Sequence, residues 1–333
     1  MSELTATAGR QAVRPAAGTT GLVLAALLLV LAILFPMFVS RYWLALGITV
    51  LFWTSFSGSW NIIGGYAGQF SLGHAAFFAI GAYSSAWLYS VFGFPTLVGM
   101  IVGSAVAALM ALCIGWIIFR YKLHGTYFAI GTLAMSEVLR VLAGALPWFG
   151  GNGGIPIPLA QERNWLLMQF QPMAFYYMFL AATVVIIALS AWIARNRFGY
   201  QLAAIRDSED VAESIGISPT RLKLAAYVIS AALAAPIGTL YSQYLMFVDP
   251  PTFFGLLVAI QVVLPAVIGG LGTAFGPLLG AIVLTFAIEL SDRVALRPGA
   301  SLLAYGAMLM VFSVLLPRGL WPLLSKMLPG ATR

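Results

Sequence analysis

Charge is the scarcest commodity in this 333-residue chain: 8% of its residues are Asp, Glu, Lys or Arg, against about 25% in an ordinary soluble domain. So few charges cannot cover the surface of a soluble protein of this size. One cysteine, Cys113, excludes a disulfide scaffold. The two histidines and that cysteine stand far apart, so their spacing suggests no metal site. The three lysines follow Tyr121, Leu222 and Ser325. No Gly-Lys pair exists to close a phosphate-binding loop, and the chain cannot cradle ATP by that device. His-Glu-x-x-His and Gly-x-Ser-x-Gly are also missing, which leaves an enzyme poorly supported. No metal, no cofactor and no nucleic-acid partner is expected.

What the chain has in abundance is apolar sequence: 61% hydrophobic residues and a mean hydropathy of +0.97. Most of its surface must face lipid. Ten apolar runs recur, at 20–39, 43–62, 70–91, 96–119, 126–146, 173–194, 224–246, 253–271, 275–290 and 301–316. Backbone polar groups in lipid must be bonded internally, so each run is predicted to be a helix. The runs are continuous and do not alternate, which excludes a barrel. The fold class is therefore all-α, a polytopic membrane protein of about ten spans. Its first run is long enough to cross a bilayer and is read as an uncleaved span.

The net charge of +7 reports topology. With the N-terminus inside, inner segments hold Arg10, Arg14, Arg120, Lys122, Arg195, Arg197, Arg206, Arg221, Lys223, Arg318, Lys326 and Arg333. Outer segments hold Arg41, Arg163, Arg293 and Arg297, and Arg140 lies within a span. This asymmetry, 12 against 4, predicts both termini in the cytoplasm. The expected organisation is a cytoplasmic tail at 1–19, a transmembrane domain at 20–316 containing a cytoplasmic loop at 195–223, and a second tail at 317–333.

Several segments carry candidate chemistry. The loop 195–223 holds nine of the 27 charges. Asp207 or Ser208 is placed to cap a short helix with Glu209 and Asp210 in its first turn, running to about Ile215 and stopping at Gly216. Such a helix is either a solvated connector or a knob for a partner's groove. Gln69, Ser71 and His74 put three polar side chains at a membrane boundary, where they either line a path or bond freed backbone. Glu137 and Arg140, at i and i+3, share a helix face inside a span and can pair, structurally or along a pathway. Gly150, Gly151, Gly153 and Gly154 around Asn152 read as a turn, or as an anion-holding nest. Gly272, Gly276 and Gly280 read as a helix-packing seam. A faint echo links Gly65, Gly68 and Gly73 to Gly269, Gly272 and Gly276.

Asp210-Val211-Ala212-x-x-x-Gly216 resembles, with Asp-Val for Glu-Ala, the cytoplasmic loop motif of bacterial ABC importer permeases. Gly65-Tyr66-Ala67-Gly68-Gln69-Phe70-Ser71-Leu72-Gly73-His74-Ala75-Ala76-Phe77-Phe78 resembles the signature of branched-chain amino-acid ABC transporter permeases of the LivM type. So do Gly125-Thr126-Tyr127-Phe128-Ala129-Ile130 with Thr132, Glu137 and Arg140, the run from Ile268 through Gly269, Gly270, Leu271, Gly272, Thr273, Ala274, Phe275 and Gly276 to Pro277, and Pro317-Arg318-Gly319-Leu320-Trp321. The resemblance implies a type II importer arrangement in the bacterial inner membrane. It implies separate ABC ATPase subunits, a second homologous permease and a periplasmic or extracellular solute-binding protein, all embedded in or beside membrane lipid. It makes Ala203, Ala204, Arg206, Asp207, Glu209, Asp210, Ala212 and Gly216 candidates for coupling to the ATPase. Gln69, Ser71, His74, Glu137 and Arg140 become candidates for the solute path. Sister permeases for urea and short amides share these motifs, and an ion-coupled secondary transporter is the rival of another class.

Overall fold

A computed structural model describes residues 19–123, 125–157 and 172–294, with 306, 307, 310 and 319–321. The expected tails at 1–19 and 317–333 and the run at 301–316 fall almost wholly outside these residues. The described chain is helical apart from one two-residue strand pair. Five of its helices, and the broken helical segment Pro250–Gly269 as a sixth, are long and apolar enough to cross a membrane.

The first helix, α1 (Thr19–Phe38), contains Pro36, which cannot donate to the carbonyl of Ala32. Tyr176 supplies the missing donor at 2.9 Å, and Tyr177 bonds the next carbonyl, of Ile33, at 3.1 Å. Those tyrosines belong to α6 (Pro172–Arg195), so the proline's free carbonyl fixes where α6 lies against α1.

α2 (Arg41–Asn61) runs through the centre, buried along its second half from Thr54 to Asn61. It ends in a π-helical turn, Ile62–Tyr66, followed by an irregular stretch before α3 (His74–Phe92). The third apolar run was expected to be helical from residue 70. It starts at His74, because the N–H groups of Leu72 and Gly73 bond the hydroxyls of Thr132 and Ser71 and not carbonyls one turn back.

α4 (Thr96–Arg120) buries Gly99, Gly103, Ala107, Ala111 and Gly115, one small residue every four. A methyl group on Gly103 would stand 2.9 Å from the Cα of Gly81, and one on Gly99 would stand 2.5 Å from the Cα of Ser85. Without a hydrophobic force between helices in lipid, such close backbone approach supplies the attraction. The opposite face, with Ile101, Leu109 and Trp116, is exposed as lipid contact requires. α5 (Thr126–Ala145) follows. After α6 come α7 (Arg197–Asp207), α8 (Glu209–Ser214) and the long α9 (Pro219–Leu245), about 40 Å at 1.5 Å per residue. α9 packs beside α3 in parallel: Ser230 meets His74, and Thr239 Oγ1 donates to the carbonyl of Gly81.

The eighth apolar run is not one helix. It forms α10 (Pro250–Phe254), α11 (Leu256–Gln261) and α12 (Val263–Gly269). Gly255 is extended, at φ −57° and ψ 147°, and Pro265 removes the donor that would have bonded Gln261. α13 (Gly276–Val294) completes the described bundle. The seam expected at Gly272, Gly276 and Gly280 is corrected here. Gly272 lies before α13 at φ +71°. Gly276 and Gly280 alone form the contact, the latter with 1.8 Å between an added Cβ and the carbonyl oxygen of Pro265.

The Gly150–Gly154 segment is a turn. Gly150, Gly151 and Gly154 have positive φ, and they deliver β1 (Ile155–Pro156) to an antiparallel pairing with β2 (Phe247–Val248). At Gly154 a Cβ would stand 2.4 Å from the carbonyl oxygen of Val248, so only glycine fits.

The helix ends segregate the charges. One end of the bundle carries the α4–α5 and α6–α9 connections, and with them Arg120, Lys122, Arg195, Arg197, Arg206, Arg221 and Lys223. The other end has Arg41 and the helical position of Arg293.

Candidate functional site

Four segments remote in sequence converge at the basic end: 61–74, Thr132, 268–276 and 319–321. Asn61 joins the first to the third. Its Oδ1 accepts from the backbone N–H of Gly272 at 2.9 Å and its Nδ2 donates to the carbonyl of Thr273 at 3.0 Å. The side chain thus mimics a strand neighbour for an irregular segment whose backbone would otherwise be unpaired. Thr273 turns back to bond the Gly270 carbonyl and accepts from the N–H of Gly276, starting α13. The two glycine segments touch: a Cβ on Gly65 would stand 2.4 Å from the nitrogen of Gly272. Thr132 Oγ1 accepts from the N–H of Leu72 at 3.1 Å. Gly319 packs on Gly270, the N–H of Leu320 donates to the carbonyl of Ile268 at 2.9 Å, and Trp321 stacks on Phe275.

His74 and Ser71 are fully buried inside this convergence, and Gln69 is nearly so. Ser230 donates its hydroxyl to the Ser59 carbonyl at 2.8 Å, so it accepts from His74 Nε2–H. That network assigns the Nδ1 side as the acceptor facing the Ser71 hydroxyl at 3.4 Å. Trp60 Nε1–H and the N–H of Gly73 donate to Ser71, to its carbonyl and its hydroxyl respectively. In this conformation both residues bond backbone and neighbouring helices. Gln69 donates to the Ala67 carbonyl at 3.5 Å, and its Oε1 has no partner among the described residues.

Glu137 and Arg140 do not join this group. They form an ion pair with each other, partly exposed, one to two turns beyond Thr132 along α5.

The candidate coupling residues gather on α7 and α8. The expected helix is divided: Asp207 ends α7, extended Ser208 at φ −160° makes an elbow, and Glu209 starts α8. α8 ends as anticipated. Gly216, at φ +86°, donates to the Glu213 carbonyl, and Ile217 donates to the Ala212 carbonyl, the paired bonds of a left-handed helix stop. Ala212 anchors the helix from its buried side, while Ala203 and Ala204 are half-buried on α7. Lys223, 3% exposed, holds Glu209 in an ion pair, and Lys122 reaches Glu213 at 3.4 Å. Sequence reasoning missed Lys223 as a partner and Asn61 as a bridge. Neither residue's spacing discloses a neighbour so far along the chain. Outward, α8 shows Val211 at 60% and Ile215 at 69% exposure, i and i+4 on one face, among Asp210 and Glu213. Arg206 points the other way, into the glycine segments, with Nη1 3.0 Å from the Gly65 carbonyl.

Among the described residues, no three His, Cys, Asp or Glu side chains group as metal ligands. Comparison with known proteins agrees with the convergence of these motifs. The chain matches the family described as branched-chain amino acid transport system / permease component over residues 42–313. It is 29% identical to the high-affinity branched-chain amino acid transport system permease protein LivM of Escherichia coli K12, over 89% of this chain and 74% of that protein. It is 21% identical to the LivH permease protein of Salmonella typhimurium LT2, over 78% of this chain and 88% of that protein. The autoinducer 2 import system permease protein LsrC of Enterobacter sp. 638 is 26% identical over 58% of this chain and 55% of its own length. No solved structure matches. A helical, multi-pass membrane chain whose motif segments close on one another at one end, and which the family covers over most of its length, belongs to the permease components of branched-chain amino acid transport systems.

Proposed function

We propose that this permease is the membrane subunit of an ATP-driven ABC importer that carries branched-chain or related amino acids into the cytoplasm. Its type II arrangement has about ten spans in the bacterial inner membrane, with both termini in the cytoplasm. A solute-binding protein delivers the solute to the outer face, a second homologous permease completes the membrane unit, and hydrolysis occurs on separate ATPase subunits. The names of the LivM and LivH relatives support the solute class.

The observation that carries the coupling role is α8. A six-residue helix cannot stand alone in water. Here an ion pair, a buried alanine and a glycine stop hold it at the basic end of the bundle. It nevertheless leaves two aliphatic side chains exposed among acids, at the end of the bundle rich in arginine and lysine, the cytoplasmic end by the positive-inside rule. Such a short apolar ridge fits the groove of a protein partner. In this reading ATP-driven movement of the ATPase pair displaces α7 and α8 and switches the bundle between outward- and inward-open states.

The test is co-purification of the ATPase subunits with the permease pair. Val211→Asp and Ile215→Asp should each reduce recovery of ATPase with normal membrane insertion. Full recovery in the double variant would exclude α8 as the docking element.

A further inference from the structure

We infer that Arg206 is the positioning residue that transmits movement of the α7–α8 loop into both glycine segments at once. The inference rests on the reading of that loop as the ATPase contact, and it goes further by naming where the displacement enters the bundle.

The geometry is specific. Arg206 occupies the last turn of α7, three residues before α8 begins. Its stem lies across Gly68: a Cβ there would be 2.5 Å from the arginine's Cγ and 3.2 Å from its Cβ. Its head reaches the Gly65 carbonyl at 3.0 Å, and Nη1 comes within 2.9 Å of the place a Cβ on Gly272 would occupy. Gly68 and Gly272 both have positive φ, at +67° and +71°. Side chains at either position would be strained and would displace the arginine. Three glycines from two distant segments therefore make one bed for one arginine side chain. Asn61 locks the second segment to the first by two hydrogen bonds.

What lies downstream gives the bed its consequence. Residues 67–73 lead directly into α3, and 270–275 lead directly into α13. α3 packs against α4 and α9, and α13 packs against α2 and α12. A shift of α7 through a bonded, planar guanidinium acts on the starting turns of two helices together. A lysine would keep the charge but lose the rigid planar group whose Nη1 is held between the Gly65 carbonyl and Gly272. The contact is intramolecular, so Arg206 need not touch the ATPase at all.

The experiment uses the reconstituted importer, with both permeases, the ATPase subunits and the binding protein, in a Cys113→Ser background. ATPase recruitment, ATP hydrolysis and solute uptake are measured together. Arg206→Ala should recruit ATPase as the parent does, while solute moved per ATP falls by roughly tenfold, the effect of losing one charge-assisted hydrogen bond. Arg206→Lys should fall between them. In Gly68→Cys/Arg206→Cys the two Cβ positions stand 3.2 Å apart, and an opening of a few tenths of an ångström brings them to the separation of a disulfide, about 3.8 Å. The reduced form should be uncoupled like Arg206→Ala, and oxidation should restore uptake by replacing the arginine with a covalent tie. Unchanged uptake per ATP in Arg206→Ala, or loss of the remaining uptake on oxidation, would overturn the inference. Loss of recruitment in Arg206→Ala would make it a docking residue and overturn it too. A parent complex that recruits no ATPase would instead sink the underlying reading of the loop.

Discussion

Gly216 offers a test in which strain can be separated from collision. Nothing lies within 4 Å of a Cβ built on this residue, so a side chain there meets open space. Its φ of +86° is the whole obstacle. A left-handed residue with a Cβ costs about 1–2 kcal/mol, and a β-branched one is worse placed still. Asparagine tolerates the same region at less cost. α8 has only six residues and no stability of its own, so its docked geometry depends on that stop. A penalty near 1.4 kcal/mol shifts the population of the correctly aimed helix about tenfold. The predicted order of ATPase recruitment is therefore Gly first, then Gly216→Asn, Gly216→Ala and Gly216→Val, with the valine variant down by roughly tenfold or more. Insertion and thermal stability of the bundle should be unaffected, since no packed residue is disturbed. Recruitment and solute-stimulated hydrolysis would be measured on purified complexes over a range of ATPase concentrations. Wild-type values for Gly216→Val would refute the argument that α8 is aimed by its stop, and equal losses for Asn and Val would refute the assignment of the effect to backbone strain.

Other expectations follow from packing and pairing. Gly103→Val puts a branched side chain where a Cβ already lies 2.9 Å from the Gly81 backbone, so α3 and α4 must separate. A loss of about 1–3 kcal/mol is expected, read as a lower midpoint of thermal unfolding in detergent. Glu209→Gln leaves the buried Lys223 ammonium without its carboxylate. It should loosen α8 more than Lys223→Met, which removes the buried charge, and limited proteolysis between residues 207 and 218 would report the order.

Sequence reasoning reached the helices through their apolar length, and nine of the ten expected runs have helical counterparts among the described residues. It located the helix stop at Gly216 because a left-handed stop is written in one residue. It did not foresee the division of the run at 253–271. A single glycine and a proline inside an apolar stretch are as compatible with a kinked span as with three pieces. The spacing of Gly272, Gly276 and Gly280 suggested one helix face, yet Gly272 is left-handed and lies outside the helix. Conversely, the seam from Gly99 to Gly115 in α4 was legible at four-residue spacing and went unused. The site itself was half visible. The two glycine segments could be seen as similar, but their contact depends on Asn61 and Arg206, residues 211 and 141 positions from their partners. Sequence distance of that size carries no signal in one chain. For His74 and Ser71, polarity at a membrane boundary fitted a solute path and a backbone role equally. The structure shows their hydrogen bonds taken up by Ser230, Trp60 and Gly73.

The most direct test of the account is uptake of labelled leucine, isoleucine or valine by proteoliposomes containing this permease, its permease partner and the ATPase subunits, with binding protein outside the inward-facing compartment's ATP supply. The account predicts uptake that requires ATP inside, requires the binding protein, and persists when ion gradients are collapsed. Uptake driven by a proton or sodium gradient by the permease alone, with no dependence on ATP, would contradict it.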